Sequence, residues 1–285
     1  MRWCHPPVPL AHPFDDGSAA VLHRDLDTTA GGLGLDGPAY RSLLEPLLER
    51  WPEICTGFLG PLLPLPKHPV AMARFGLVGL ASAARLVRRF QEPATRGLIA
   101  GLAAHSFLPL DQILTGGIGL SLGLAAHAVG WPVAEGGSQA IVDALAAVVT
   151  DQGGEIVTDH EVMSLGALPP AAAVLLDVTP RQLLTLAGDR LDGWHGWRLR
   201  QWRYGPAACK ADYLLSGPMP WTAEAGRQAG VLHLGGRFED IAGAERTTST
   251  GTVAERPFVL VSQPMLADAG RAPAGRHVVW AYAHV

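Results

Sequence analysis

Gly130 to Thr179 reads GWPVAEGGSQAIVDALAAVVTDQGGEIVTDHEVMSLGALPPAAAVLLDVT. A turn rich in proline and glycine (Pro132, Gly136, Gly137) opens onto an apolar helix pattern. Ile141, Leu145 and Val148, with Ala144 and Val149, recur at three- and four-residue spacing and form one stripe. Ser138 is placed to cap that helix, and Gly153 or Gly154 can take the left-handed conformation that ends it. A short strand is expected at Glu155 to Thr158. A second is expected at Ala171 to Leu176, whose unbroken apolar run suits a strand buried on both faces. Thr179-Pro180-Arg181-Gln182 then matches a capping box with proline at the first helical position, so another helix runs to about Gly188. Helix flanked by short buried strands is the pattern of an α/β layer, and the expected class is α/β, mixed α+β.

The order P-x-x-x-GG-S, helix, GG-E-I-x-T-x-x-x-V, strand, D-x-T-P resembles the phytoene dehydrogenase-like branch of the flavin-containing amine oxidoreductases. Further motifs agree: Lys210-x-Asp212, Gly217-Pro218-Met219-Pro220-Trp221, His233-x-Gly235-Gly236 and Asp268-x-x-Arg271-Ala272-Pro273. The resemblance covers nearly all 285 residues. It implies a FAD-dependent oxidoreductase that oxidises or desaturates a hydrophobic, carotenoid-related substrate by hydride transfer to flavin. It implies that Gly136 and Gly137 lead the chain from the substrate region back to the FAD domain, and that the Val162 backbone touches the adenine end of FAD. The family begins with a strand and a G-x-G-x-x-G turn that binds the pyrophosphate, and ends with a Gly-Asp segment that holds the ribityl chain. Neither pattern is present, so the sequence resembles the middle of a longer flavoprotein. The alternative is a non-catalytic fragment, or an apolar-ligand-binding protein that does not retain FAD.

Four segments follow. Residues 1–36 are an extended arm with short strands, and 37–129 are the helical part of a substrate domain. Residues 130–190 are the return segment of a FAD-binding domain, and 191–285 an antiparallel substrate-domain sheet. The chain is 48% hydrophobic and 17% charged, enough to bury a substantial core. A net charge of −4 leaves no basic footprint for nucleic acid. Cys4, Cys55 and Cys209 are widely spaced and odd in number, which argues for a reducing, cytoplasmic setting rather than a disulfide framework. The start, MRWCHPPVP, lacks the apolar segment of a signal peptide.

Tyr40, Leu43, Leu44, Leu47, Leu48, Trp51 and Ile54 share a helical face, which Pro46 and Pro52 should kink or divide. Gly60 to Pro69 is a proline-rich connector. Leu80 to Phe90 reads as one amphipathic helix with Leu80, Ala84, Val87 and Phe90 inward. Its arginines Arg85, Arg88 and Arg89 form a solvated face, or a peripheral contact with an anionic membrane. Ile113 to Val129 carries no formal charge and is short for a membrane span, so it reads as a buried helix; the resemblance implies that it walls a pocket for a long apolar substrate. Strands are expected at Leu199 to Tyr204, Ala208 to Leu215, Val231 to Leu234, Phe258 to Ser262 and Val278 to Ala283. Glu239 to Gly251 reads as a polar excursion.

No catalytic residue is legible, which fits a cofactor that carries the reaction itself. Gly116-Gly117-Ile118-Gly119 lies mid-chain without a preceding strand and is a weak dinucleotide signal. Lys210 and Asp212 alternate on one strand and face one side, either as an exposed pair or at a pocket mouth. His233 lies on a strand facing away from Leu232 and Leu234, and is a candidate pocket residue. Trp221 is a candidate pocket residue and more simply a packing anchor. His105 and His127 read as core histidines. Cys4, His5 and His12 lack a second cluster at ligand spacing, so no metal is expected.

Overall fold

A computed structural model describes residues 1–60 and 67–285. Most of the expected connector, residues 61–66, lies outside the described residues. The chain divides into two compact units, Met1–Val142 with Pro206–Val285, and Asp143–Gly205. The class is mixed α/β, as the sequence reading has it.

The strands are β1 (Trp3–Cys4), β2 (Val8–Pro13), β3 (Ala19–Leu22), β4 (Val133–Ala134), β5 (Ala208–Leu215), β6 (Ala229–Leu234), β7 (Val259–Ser262) and β8 (His277–His284). Six form one sheet in the order β3-β2-β6-β7-β8-β5, and β1 pairs with β4. The C-terminal strands are antiparallel as expected, but β2 joins them, lying between the edge strand β3 and β6 and running parallel to β6. The expected N-terminal arm is therefore a core strand. Its apolar run Val8, Leu10, Ala11 is buried on both faces. Pro9 lies one residue outside the β2–β3 ladder, which begins at Leu10, so its missing N–H breaks no bond of that ladder.

The helices are α1 (Leu26–Gly32), α2 (Gly37–Leu48), α3 (Trp51–Leu59), α4 (Pro69–Gly79), α5 (Ala83–Leu86), α6 (Pro93–Ala104), α7 (Thr115–Ala128), α8 (Gln139–Asp151), α9 (Pro180–Ala187), α10 (Gly193–Arg200) and α11 (Phe238–Ser249). The proline pair does divide α2 from α3, with Pro52 in the first turn of α3. Leu80 to Phe90 is not one helix. The Ser82 side chain accepts from the Arg85 amide and starts α5 afresh, and Leu80 is left exposed between α4 and α5. The arginines Arg85, Arg88 and Arg89 are exposed as expected.

Helix α6 is almost wholly buried, and the carboxylate of Asp36 holds its entry. That buried group accepts from the Gln91 amide at 2.8 Å and the Glu92 amide at 2.8 Å. Helix α7 packs on α6 through glycines. A Cβ on Gly119 would meet the Ala103 backbone at 3.2 Å, and one on Gly117 the Gly79 carbonyl at 2.5 Å. His127 on α7 is a satisfied core histidine, between the Tyr40 hydroxyl at 2.9 Å and the Arg24 carbonyl at 3.1 Å. Among the described residues no single helix is long and apolar enough to cross a membrane.

In the second unit the helices of the opening stretch form, and its strands do not. Thr179 and Gln182 make the expected capping box at α9. Gly153, at φ +80°, ends α8 in the left-handed region. Glu155 to Thr158 and Ala171 to Leu176 are unpaired, and Ile156, Val157, Val174 and Leu175 are exposed. A strand needs a neighbour for its amide and carbonyl groups, and local apolarity does not supply one. The stripe of α8 is likewise uncovered, since no residue of α8 is buried. Leu199 to Tyr204 is not a strand either, because α10 runs through Arg200.

Candidate functional site

Sheet register decides which residues share a face. His233 on β6 pairs with Leu260, Leu260 with Tyr282, and Tyr282 with Lys210. His12 lies one position beyond the Ala11–Leu232 pair, next to His233. One row therefore runs His12, His233, Leu260, Tyr282, Lys210 across five strands. The adjacent row carries Val231, Ser262, Trp280 and Asp212 on the same face.

Helix α6 closes over the histidine end. Gly97, Gly101 and His105 recur every four residues and lie on one side of the helix. A Cβ on Gly97 would stand 3.0 Å from His12 Nε2, and one on Gly101 would stand 2.8 Å from His233 Nδ1 and 3.2 Å from His12 Nδ1. Glycine at both positions lets the helix reach the imidazoles. Gly101→Ala is expected to destabilise the chain by about 1–3 kcal/mol through overpacking, despite alanine's better helix propensity. Gly243 in α11 is exposed with nothing within 4 Å of its Cβ position. There the same change is expected to stabilise by about 0.5–1 kcal/mol. Urea midpoints of the two variants should therefore move in opposite directions, and a shared direction would contradict the close approach.

Three histidines form a line across the closed end of the face, and a fourth, His284, stands beside it. His12 Nε2 lies 2.7 Å from the Gly236 carbonyl, and His105 Nε2 lies 3.0 Å from His233 Nε2. The Tyr282 hydroxyl lies 3.4 Å from His105 Nδ1. His284 Nδ1 lies 2.7 Å from Glu245 Oε1, both side chains essentially without solvent contact. Phe107 stacks on His284 at 3.8 Å. Among the described residues, His12 Nδ1, His233 Nδ1 and His284 Nε2 have no hydrogen-bond partner. Burial pushes His12 and His105 down to about 4, and His233 well below the usual imidazole range, aided by its histidine neighbours. These rings are therefore neutral at neutral pH. Burial first, then the Glu245 charge, pushes Tyr282 up to about 12.

The residues singled out in the sequence separate. His233, Lys210 and Asp212 share the face, but His233 is fully buried rather than pocket-lining. Lys210 and Asp212 are exposed, bonded to each other, and Lys210 sits 5.4 Å over the Trp280 ring. Trp221 packs with the cluster on the other face. Its indole N–H donates to Gln263 Oε1 at 2.9 Å, and Gln263 in turn donates to the Gly226 and Ala229 carbonyls. Gly136 and Gly137 form a left-handed turn clamped by the Asp268-x-x-Arg271 motif. The Gly136 amide donates to Asp268 Oδ2 at 2.9 Å, which lowers the Asp268 pKa, and the Arg271 guanidinium borders Gly137. Val162 lies half-buried in an irregular stretch of the second unit. Cys4, His5 and His12 do not gather, and no metal-binding cluster occurs among the described residues.

His12, Tyr282, His284 and Glu245 were not read as site residues. Glu245 falls in the expected polar excursion, which is in fact α11. Ile241, Ala244, Glu245 and Thr248 are its buried face, and their helical spacing was the available signal.

A cavity of about 540 Å³ opens at the carboxyl ends of the parallel strands β2 and β6, where α/β sheets commonly bind ligands. Phe14, Trp221, Leu234, Gly236, Asp240 and Arg256 are among its lining. The junction β6–Gly235–Gly236–α11 has the strand–glycine–helix order of a phosphate site. Its crevice carries Asp15 and Asp240, which repel a pyrophosphate, and Asp240 already accepts from the Arg237 amide. The glycines of α7 pack helices, and the Gly136 amide is taken by Asp268. The described residues therefore do not fit a dinucleotide's pyrophosphate. No protein-family model and no curated protein matches the chain.

Proposed function

We propose that the chain forms the substrate-side body of a FAD-dependent oxidoreductase of the phytoene dehydrogenase-like type, acting on a hydrophobic, isoprenoid-like substrate. One observation supports this reading. The motif residues His233, Lys210 and Asp212 fall on one sheet face whose open end is aromatic and whose closed end is sealed by apolar helices. This body does not hold FAD by itself, because its glycine turns are engaged elsewhere. The chain's own part is to bind and orient an apolar molecule and exclude water from one side of it. The reading places the protein in the cytoplasm, consistent with its unpaired cysteines, with peripheral membrane contact through the exposed arginines of α5 and the turn after it.

The second reading, a non-catalytic apolar-ligand-binding protein, is favoured by the unpaired segments 155–158 and 171–176. Purified chain is expected to show no flavin absorbance and to bind an apolar fluorescent dye. Flavin retained in equal amount with the chain would overturn the statement about FAD. Failure to bind any apolar probe would overturn both readings. Oxidation of an apolar substrate when FAD and a flavin-binding partner domain are supplied separates the oxidoreductase from the binder.

A further inference from the structure

The sheet face opposite the histidine row is closed by different residues. Val279 on β8 and Val261 on β7 are buried there, and Met219 and Trp221 pack against them. The segment Pro218 to Pro220 runs over one side of this face, and the helical turn Pro264–Leu266 follows β7 on the other. Between them lies a cavity of about 380 Å³, within the ~300–1,000 Å³ of small-molecule sites. Its lining belongs wholly to the first unit.

The walls are apolar. Met219, Met265, Leu266 and Val279 line the cavity, with Pro218 and Pro220. The prolines fix their own backbone angles, so this wall is formed before a ligand enters and little ordering is left to binding. The methionines are unbranched and adjust to the contour of a flexible chain. The buried amide of Gln263 borders the same space, but it is fully engaged. Its Oε1 accepts from the Trp221 indole, and its Nε2 donates to the Gly226 and Ala229 carbonyls. The interior thus favours hydrocarbon, because a polar group placed along it would find no partner.

The rim carries one sign of charge. Arg227 lines the cavity, and among the described residues no carboxylate does. His277 starts β8 and shares the face of Val279 by two-residue spacing. Its imidazole offers an N–H donor whether neutral or charged. Arg227 Nη1 stands 3.3 Å from Glu224 Oε2, but these side chains are 59% and 73% exposed, so the pair is weak and yields to a carboxylate held at the mouth. Nη2 donates to the Trp221 carbonyl at a long 3.5 Å. The guanidinium fork has more N–H groups than these two contacts use.

We propose that this cavity binds a small apolar carboxylate, with the hydrocarbon tail among Met219, Met265 and Val279 and the head on Arg227 and His277. The site lies on the other face from His233, Lys210 and Asp212, so it is additional to the hydrophobic-substrate reading and does not rest on it.

The chain has five methionines, and only Met219 and Met265 line this cavity. In the full chain with carbon-13 methionine methyls, octanoate is expected to shift those two signals saturably and leave Met72 and Met163 in place. Octanoate is expected to bind about 3- to 10-fold more tightly than methyl octanoate, as a charge-assisted bond at a half-exposed mouth allows. Arg227→Gln, at an exposed position, is expected to remove that preference while the ester keeps its affinity. Equal affinity for acid and ester, or a preference that survives Arg227→Gln, overturns the proposal, as does octanoate that does not bind. Octanoate that binds and moves neither cavity methionine overturns this site alone and leaves the hydrophobic-substrate reading standing.

Discussion

As pH falls from 6.5 towards 4, the sheet body is expected to lose about 2–3 kcal/mol of stability from His12 alone. The ring is fully buried, and among the described residues its hydrogen-bond partner is the Gly236 carbonyl. Burial therefore holds it neutral in the fold, with a pKa of about 4 against 6.5 in an open chain. Below 6.5 the unfolded chain binds a proton that the folded one does not. Stability is thus fully present above pH 6.5 and declines until the folded ring also titrates. His233 and His105 act in the same direction, since burial lowers both rings as well. Asp16, Asp25 and Asp268 have lowered values, so their contribution fades only as pH falls below the ordinary 3.8. Urea unfolding at stepped pH checks the result. His12→Gln can still donate to Gly236 and cannot titrate. It is expected to flatten the acid limb by about one proton per molecule. An unchanged limb in that variant would remove His12 from the explanation.

What could be read from the sequence follows the range of the interactions. The capping box at Thr179 and the left-handed Gly153 are local, and both are where their residues put them. Strands β5, β6, β7 and β8 were legible from alternation and from the turns between them. Strand β2 was not. Its prolines suggest an arm, and only pairing with residues more than two hundred positions away makes it a core strand. The opposite error arose at 155–158 and 171–176, where apolar runs promised strands that have no neighbour to bond. Of the candidate site, Lys210 and Asp212 were read correctly as sharing a side, because two-residue spacing on a strand requires it. The line Tyr282–His105–His233–His12 joins β8, α6, β6 and β2, and no spacing within one element could reveal it.

Glu245→Ala is expected to cost about 1–3 kcal/mol, because it leaves a buried nitrogen of His284 without its hydrogen-bond partner where solvent does not reach. Glu245 and His284 are 1% and 0% exposed, and their 2.7 Å contact lies between α11 and the end of β8. Without the carboxylate, His284 Nδ1–H has no acceptor in the core, and its Nε2 already lacks a partner. The ring would then be buried with both nitrogens unsatisfied, stacked on Phe107 and tilted against Phe258. Glu245→Gln retains an acceptor oxygen at the same reach and is expected to cost markedly less. The next residue supplies a control. Arg246 pairs with Asp111 at 2.9 Å, but with side chains 62% and 49% exposed, so water replaces whatever is removed. Arg246→Ala is expected to cost less than about 1 kcal/mol. Both changes fall on one helix, remove one polar side-chain contact and leave similar helix propensity, so burial is the main variable that separates them. If urea unfolding near neutral pH gave the two alanine variants the same midpoint, the Glu245–His284 contact would not be the fastening of α11 to the sheet that its geometry implies.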